Sequence, residues 1–309
     1  MALREYLVTE VALDHADGHL SRREALRRLG LLGLSTAAAS GVLAACSSEV
    51  APAPAAPPPP SGGPAAGAPA AGVPPAAPDY DVPAALARAT AVTFPGAAGE
   101  LSGAFAAPAA TPRGAVLVVH ENRGLTDHIR AVAGRLAGDG YAALAPDLLS
   151  RLGGTAAVPD ATAALGGLAE ADLISDLQSG LVELGRRLPG VPQAAMGFCF
   201  GGGMVWRLLN GAPTELAAAV PFYGPAPSDP TFANTRAAVL GVFAEKDNRV
   251  NAGRDALEAA LTARGLPHEL VTVPGVDHAF FNDTGQRYNA AAAGEVYQRV
   301  LAWFGQYLG

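Results

Sequence analysis

The pattern of apolar and polar positions predicts alternating strands and helices along the larger, later part of the chain. Short continuous apolar runs, typical of strands buried on both faces, alternate with stretches in which apolar residues recur at helical spacing. The predicted strands cover 91–95, 101–108, 115–120, 141–145, 194–196, 217–222, 238–243 and 269–273. The predicted helices cover 127–138, 173–188, 253–264 and 291–308, and another begins near Met204. This order predicts an α/β fold: a doubly wound, mostly parallel sheet flanked by helices, with the first two strands antiparallel at its edge.

The amino terminus has the pattern of an export signal. Arg22 and Arg23 precede an uncharged apolar run at 29–45, which is too short for a convincing membrane span. The run ends in Leu43, two alanines and Cys46, an order typical of a bacterial lipobox. We interpret residues 1–45 as a twin-arginine signal peptide and Cys46 as the lipid-carrying first residue of the mature protein. The alternative interpretation is an amphipathic helix followed by an ordinary cysteine.

Residues 46–78 are almost entirely Ala, Pro and Gly, a composition that cannot bury a core. We expect a disordered tether there and one folded domain over 79–309, with no internal repeat. The expected location is the bacterial cell envelope, periplasmic or on the outer face, where the lipid holds the protein to a membrane. We expect a monomer.

The composition excludes one class of partner. The chain has 309 residues, a formal charge of −7 and 21 basic residues, of which Lys246 is the one lysine. Because no basic cluster occurs beyond the first 30 residues or so, we expect no nucleic-acid binding.

A short glycine-rich segment carries the candidate nucleophile. Cys199 has Gly197 two residues before it and Gly201 two residues after it, between a predicted strand and a predicted helix. This is the spacing of a nucleophile elbow, a strained turn that places the nucleophile at a helix N-terminus, where the dipole favours a thiolate. A lone cysteine often simply fills a core. If Cys46 carries lipid, however, Cys199 has no partner for a disulfide in an oxidising compartment, which favours a catalytic role.

Two further residues complete a catalytic order. Asp247 follows the strand at 238–243, and His278 follows the strand at 269–273. Alone, Asp247 could be a turn or cap residue, and His278 could be structural. Together they supply the base for the thiol of Cys199 and the carboxylate that orients the base, in the chain order of this architecture. We expect no cofactor, and no metal site because the remaining histidines lack ligand spacing.

The oxyanion hole is predicted from the same architecture. One backbone N–H would come from Phe200, directly after the nucleophile, and the other from Asn122, in the loop after the strand at 115–120.

These residues give the chain a resemblance to the dienelactone hydrolase family of α/β hydrolases over about 101–308. The resemblance rests on Glu121, Gly140 to Leu148, the elbow with its Cys, Asp247 and His278. It implies that the carboxylate of Glu121 hydrogen-bonds the resting thiol and moves when substrate binds. It also implies cleavage of a small ester or lactone through a thioester.

One position limits the expected substrate. Family members that bind the dienelactone carboxylate have an arginine four residues after the catalytic histidine, where this chain has Asn282. Arg123, Arg151 and Arg249 could substitute for it. Phe222, Tyr223, Phe280 and Phe281 favour a more neutral pocket, although they could equally be core. The possible substrate contacts are Arg123, Tyr223, Phe280 and Asn282.

Two other functions stay open. A tethered lipoprotein could use Cys199 as a redox or binding thiol without turnover. A generic carboxylesterase or thioesterase would accept larger acyl groups and tolerate serine in place of Cys199.

Overall fold

A computed structural model describes residues 3–16, 18–48, 79–211 and 215–309. Its eight strands form one sheet. They are β1 (Thr90–Gly96), β2 (Gly99–Ala106), β3 (Ala115–Val119), β4 (Ala142–Pro146), β5 (Gln193–Phe198), β6 (Ala218–Phe222), β7 (Ala238–Ala244) and β8 (His268–Val273).

The sheet is mostly parallel, as predicted. Its strand order is β1-β2-β4-β3-β5-β6-β7-β8. Strand β2 pairs antiparallel with both β1 and β4, and every later pairing is parallel. Strands β3 to β7 are almost wholly buried because their side chains are apolar on both faces. The carboxyl ends of these strands are where a site is expected.

The helices cover both predicted and unpredicted segments. They are α1 (Leu3–Ala16), α2 (Arg22–Leu31), α3 (Thr36–Ser48), α4 (Val82–Arg88), α5 (Asp127–Gly138), α6 (Ala161–Gly167), α7 (Glu170–Arg187), α8 (Phe200–Gly211), α9 (Asn248–Asn251), α10 (Arg254–Ala263) and α11 (Ala290–Tyr307). Helices α5, α7, α8, α10 and α11 pack against the strands. Helices α4, α6 and α9 are too short to give a clear helical period in the sequence.

Residues 3–16 and 18–48 fold against the rest of the described chain. Helices α1, α2 and α3 contact one another, and both α1 and α2 contact α6. Tyr6, Leu7 and Leu29 are fully buried. Arg27 and Arg28 of α2 pair with Asp160, which also caps α6. In the full-length chain these residues therefore form a packed subdomain, whereas their use as an export signal stays a prediction.

Cys46 lies in the last turn of α3, and most of the predicted tether, at 49–78, lies outside the described residues. Among the described helices, none has both the length and the apolar character needed to cross a bilayer.

Candidate active site

The turn between β5 and α8 has the geometry predicted for a nucleophile elbow. Cys199 has a φ of 55°, a left-handed conformation that costs energy for any residue with a Cβ. A Cβ on Gly201 would lie far inside contact distance of the backbone of Val119 and His120, and one on Gly197 would overlap the carbonyl of Gly201. Glycine is therefore required on both sides of the cysteine, because the strand and helix backbones touch there.

Asp247 and His278 meet at the same edge of the sheet. Oδ2 of Asp247 lies 2.5 Å from Nδ1 of His278. The other carboxylate oxygen, Oδ1, accepts a hydrogen bond from the backbone N–H of Val250 at the start of α9. The aspartate is therefore both a helix cap and the partner of the imidazole. Its cap role fixes the carboxylate, which in turn fixes the orientation of the imidazole ring.

The thiol of Cys199 and the imidazole of His278 share a hydroxyl from α1. The Tyr6 hydroxyl lies 3.1 Å from Sγ of Cys199 and 3.4 Å from Nε2 of His278. Cys199 is only 3% exposed. A helix from the amino-terminal subdomain therefore covers the candidate nucleophile.

Glu10, one turn further along α1, places a carboxylate beside the same imidazole. Its Oε1 lies 3.5 Å from Nε2 of His278, and its Oε2 accepts a hydrogen bond of 2.6 Å from Nη2 of Arg249. The Arg249 guanidinium also lies over the Tyr6 ring, 4.3 Å from its centre. Ligand atoms of Glu10, Cys199 and His278 lie within 4.8 Å of one another, close enough to hold a metal ion.

These contacts shift the protonation equilibria of the site. Burial raises the pKa of Cys199, the charge of Glu10 raises it further, and the imidazole of His278 opposes both. Burial lowers the pKa of His278, but the carboxylates of Glu10 and Asp247 outweigh this and raise it well above its usual range. With α1 in place the thiol is thus held neutral, contrary to the thiolate expected from the helix dipole, and the imidazole is held protonated.

Burial acts on Glu10 as well. It disfavours the carboxylate, but Arg249 and His278 outweigh it and lower the pKa of Glu10 to about 2. Glu10 is therefore ionised at neutral pH.

The candidate oxyanion residues lie next to the thiol in the fold. Phe200 is the first residue of α8, and Asn122 lines the cavity that contains Sγ of Cys199. The backbone carbonyl of Asn122 accepts a hydrogen bond of 3.2 Å from the hydroxyl of Thr162, which fixes the loop after β3.

Glu121 differs from the expectation drawn from the resemblance. It is buried and close enough to raise the pKa of Cys199, but Oε2 accepts a hydrogen bond from the side-chain amide of Asn282. Among the described residues, Oε1 of Glu121 has no hydrogen-bond partner, and the thiol is bonded to Tyr6 instead. The Tyr6 hydroxyl takes the position next to Sγ because α1 is docked.

An open cavity of about 290 Å³ leads to the thiol, and most of its walls are polar. The cavity is lined by Glu10, Asp14, His19, Glu121, Asn122, Arg123, Cys199, His278, Ala279, Asn282, Thr284, Gly285, Gln286 and Arg287. Of the four possible substrate contacts, Arg123 and Asn282 line it. The expectation of a neutral, aromatic pocket is wrong.

The aromatic residues belong to the core instead. Tyr223 and Phe280 are fully buried. The Tyr223 ring packs edge-on against His278 at 5.0 Å and against Phe280 at 5.7 Å. These two predicted substrate contacts are therefore supports behind the imidazole, since neither lines the cavity.

The other candidate groups have structural partners. Arg151 forms two hydrogen bonds of 2.8 Å with Asp176. His120 accepts a hydrogen bond from the Leu148 backbone N–H, and His128 pairs with Asp283 at 2.7 Å. Of the three arginines considered as substitutes for the missing one, Arg249 contacts the carboxylate of Glu10 beside the imidazole of His278.

Sequence reasoning missed Tyr6 and Glu10. Their signal was present, because Leu3, Tyr6, Leu7, Glu10 and Val11 repeat at helical spacing ahead of the twin arginines. The export interpretation removed this segment from the fold and so concealed it.

The fold has known counterparts. Residues 101–308 match the model of the Dienelactone hydrolase family. A Saccharolobus solfataricus protein described as "Putative carboxymethylenebutenolidase" is 30% identical over 239 residues, covering 65% of this chain and 92% of the relative. A Synechocystis protein with the same description is 31% identical over 240 residues, covering 70% and 96%.

A solved structure gives the same result. The crystal structure described as "Putative Dienelactone Hydrolase" from Klebsiella pneumoniae shares 30% identity with a TM-score of 0.64, covering 71% of this chain and 98% of that one. The likeness confirms the predicted α/β-hydrolase fold. The range matched by the family model begins at residue 101 and therefore leaves out α1, α2 and α3.

Proposed function

Since this chain belongs to the dienelactone hydrolase family of ester and lactone hydrolases, we propose that it cleaves a small ester or lactone through a thioester on Cys199. The supporting observation is the position of Cys199 on a strained elbow, within reach of an imidazole that Asp247 holds at 2.5 Å. A thiol needs such a base to become a nucleophile, and the base needs a fixed tautomer.

The reaction starts from the site without docked α1, where the imidazole of His278 is a free base. In the first half, Sγ of Cys199 attacks the carbonyl carbon while Nε2 of His278 accepts the thiol proton. The oxyanion that forms is held by the backbone N–H groups of Phe200 and Asn122, each worth about 10²- to 10³-fold in rate. The C–O bond then breaks, and His278 returns its proton to the leaving alkoxide. An alcohol leaves, or stays on the same molecule if the substrate is a lactone.

In the second half, water attacks the thioester carbonyl and His278 accepts a proton from that water. The C–S bond breaks, the thiol of Cys199 is restored with that proton, and a carboxylic acid is released. Asp247 stabilises the imidazolium in both halves without taking a proton. Glu121 modulates the thiol through its nearby negative charge, which opposes ionisation of Cys199.

The proposal is tested on the full chain with neutral lactones, aryl acetates and dienelactone. Wild type should hydrolyse at least one of them, and Cys199→Ala should lose about 10⁴-fold or more. Cys46→Ala is the matched control and should retain activity. Equal activity of Cys199→Ala and wild type, or absence of hydrolysis by both wild type and a Glu10→Gln variant, would overturn the proposal.

The same experiment distinguishes the proposed function from the two alternative functions. A generic esterase or thioesterase would keep most of its activity as Cys199→Ser, whereas we expect this variant to lose most of it. A redox or binding lipoprotein would hydrolyse nothing and would show reversible oxidation of Cys199. The 3% exposure of Cys199 is unfavourable to that function, because sensor thiols are accessible.

We also propose that the chain is exported and lipid-anchored through Cys46 and acts as a monomer in the cell envelope. Metabolic labelling with a radioactive fatty acid should mark wild type and fail to mark Cys46→Ala. Replacing both Arg22 and Arg23 by lysine should stop export. Labelling of the Cys46→Ala variant would contradict the assignment of the lipid to this cysteine.

A further inference from the structure

Glu10, in α1, places its carboxylate beside the imidazole of His278. Glu10 is 4% exposed, and its two oxygens face different groups. One lies 3.5 Å from Nε2 of His278, and the other accepts from Nη2 of Arg249 at 2.6 Å. Asp247 already contacts the other ring nitrogen, Nδ1. Glu10 therefore has no evident part in orienting His278.

Arg249 has more donors than Glu10 uses. Its side chain is 11% exposed, and Nε and Nη1 are buried without a hydrogen-bond partner among the described residues. A guanidinium is suited to bidentate contact with a planar carboxylate. The single short contact with Glu10 leaves this capacity only partly used, which is costly at a buried position.

The position of this arginine matters for substrate binding. Glu10 lines the same cavity as Cys199 and His278, and its carboxylate lies within 4.8 Å of the sulfur. A carboxylate bound to Arg249 at that place would be a few bonds away from a carbonyl carbon attacked by the thiol.

We propose that Arg249 forms a carboxylate subsite of the active site, and that α1 occupies it with Glu10 in the full-length chain. The subsite takes a substrate that carries a carboxylate a few bonds from its scissile ester, and such a substrate competes with Glu10 for the guanidinium. Helix α1 is thus an internal inhibitor that imitates one end of the substrate. This inference rests on the proposed function, because it assigns the substrate class of the same site.

The chemistry of the occupant supports competition. Glu10 is ionised because Arg249 and His278 lower its pKa to about 2, so it offers the charged form that a substrate would offer. Glu10 is carried by a helix outside the range matched by the family model, whereas Arg249 belongs to the sheet domain. Displacement of α1 would leave the guanidinium without its present carboxylate partner.

Binding to the subsite is tested by titration calorimetry on full-length protein, with acetate as probe and acetamide as its neutral counterpart. Glu10→Ala removes the carboxymethyl group that acetate replaces. We expect acetate to bind Glu10→Ala at least about tenfold more tightly than wild type, equivalent to about 1.4 kcal/mol. Acetamide should show no such gain, and Arg249→Gln in the Glu10→Ala background should abolish it.

Substrate choice is tested with two phenyl esters, the anionic monophenyl succinate and the neutral methyl phenyl succinate. The anionic-to-neutral ratio of kcat/KM should rise about tenfold in Glu10→Gln and fall again when Arg249→Gln is added. Glu5→Gln is the matched control, because it removes one charge from an exposed position of the same helix. It should leave the ratio at the wild-type value.

The two experiments fail separately from the proposed function. Absence of Cys199-dependent hydrolysis in both wild type and Glu10→Gln overturns the proposed function, while the acetate titration still decides whether Arg249 binds a carboxylate. Equal acetate affinity in wild type and Glu10→Ala would overturn the subsite, as would an unchanged kcat/KM ratio in Glu10→Gln alongside normal hydrolysis of the neutral ester.

Discussion

The two sides of the catalytic cavity are built in different ways. On the side of the sheet, backbone geometry fixes the reacting groups: a left-handed turn holds Cys199, and the start of α9 holds Asp247. On the other side, α1 reaches the site through side chains alone, chiefly those of Tyr6 and Glu10. The first side is therefore determined by the fold of the sheet domain. The second side depends on α1, a helix that forms no part of the sheet and whose displacement would break no strand pairing.

This difference separates catalysis from access. Changes in the sheet domain should lower activity or stability, whereas changes in α1 should expose the thiol or shift its pH response. Each of the following substitutions tests one side against the other.

The largest expected effect comes from Asp247→Asn. The amide can still accept at the start of α9, so the helix cap is kept, but it cannot stabilise the imidazolium of His278. Hydrolysis should fall by about 10³- to 10⁴-fold with little loss of thermal stability. The measurement is kcat/KM together with a melting curve. A comparable loss in a variant of exposed Asp255 would show that the effect is not specific to the carboxylate beside the imidazole.

A pair of glycines compares the elbow of the sheet domain with the amino-terminal helices. Gly201→Ala would force a Cβ into the backbone carbonyls of Val119 and His120, so we expect a loss of about 3 kcal/mol or more in unfolding free energy. Gly41→Ala, in α3, has nothing within 4 Å of the new Cβ and should stabilise by about 0.5–1 kcal/mol. Denaturant unfolding measures both. Tolerance of alanine at Gly201 would contradict the close approach at the elbow.

A pair of leucines tests whether α1 controls access to the thiol. Leu7 of α1 is fully buried, whereas Leu31 of α2 is 52% exposed. Leu7→Asp would bury a charge if α1 stayed docked, so the helix should be displaced. Alkylation of Cys199 by iodoacetamide, followed on its own peptide by mass spectrometry, should become about tenfold faster or more. Leu31→Asp should leave the rate unchanged, and an equal rate in both variants would mean that α1 does not cover the sulfur.

The sequence predicts the groups on the sheet side of the cavity far better than those that α1 contributes. The elbow glycines, Asp247 and His278 are recognisable because each follows a buried apolar strand, and parallel strands bring their ends together. The role of Glu10 is not recognisable in this way. Its contact with Arg249 joins residues 239 positions apart, and its helix lies in a segment whose composition also fits an export signal.

The aromatic residues show a second limit. Tyr223 and Phe280 are apolar residues beyond strands β6 and β8, a pattern that fits either a neutral pocket or the core. Both are core residues that pack behind or near His278. The direction in which a side chain points after a strand ends depends on the turn. Tyr223 lies in such a turn with a φ of 34°, and its side chain is fully buried. Strand order alone does not contain this information.

The smallest expected effect is a shift in pH dependence when Glu10 loses its charge. Glu10 raises the pKa of both Cys199 and His278. Asp247, Tyr6 and Glu121 also face these groups and stay in place. In Glu10→Gln the imidazole should therefore become a free base at lower pH. The acid limb of the kcat/KM profile should move to lower pH, and an unmoved limb would show that Glu10 does not act on the imidazole.

The same shifts set the pH range in which α1 stays docked. The pKa of His278 is raised, so its contribution to docking is complete below the ordinary value of 6.5 and is lost as the pH rises through the raised value. The pKa of Glu10 is lowered, so its contribution is complete above 4.5 and is lost as the pH falls towards about 2. Docking of α1 should therefore be tightest between pH 4.5 and 6.5, where both contributions are complete. Iodoacetamide alkylation of Cys199, corrected for thiol ionisation with the Leu7→Asp variant, should accordingly rise on the alkaline side in wild type and change less in Glu10→Gln.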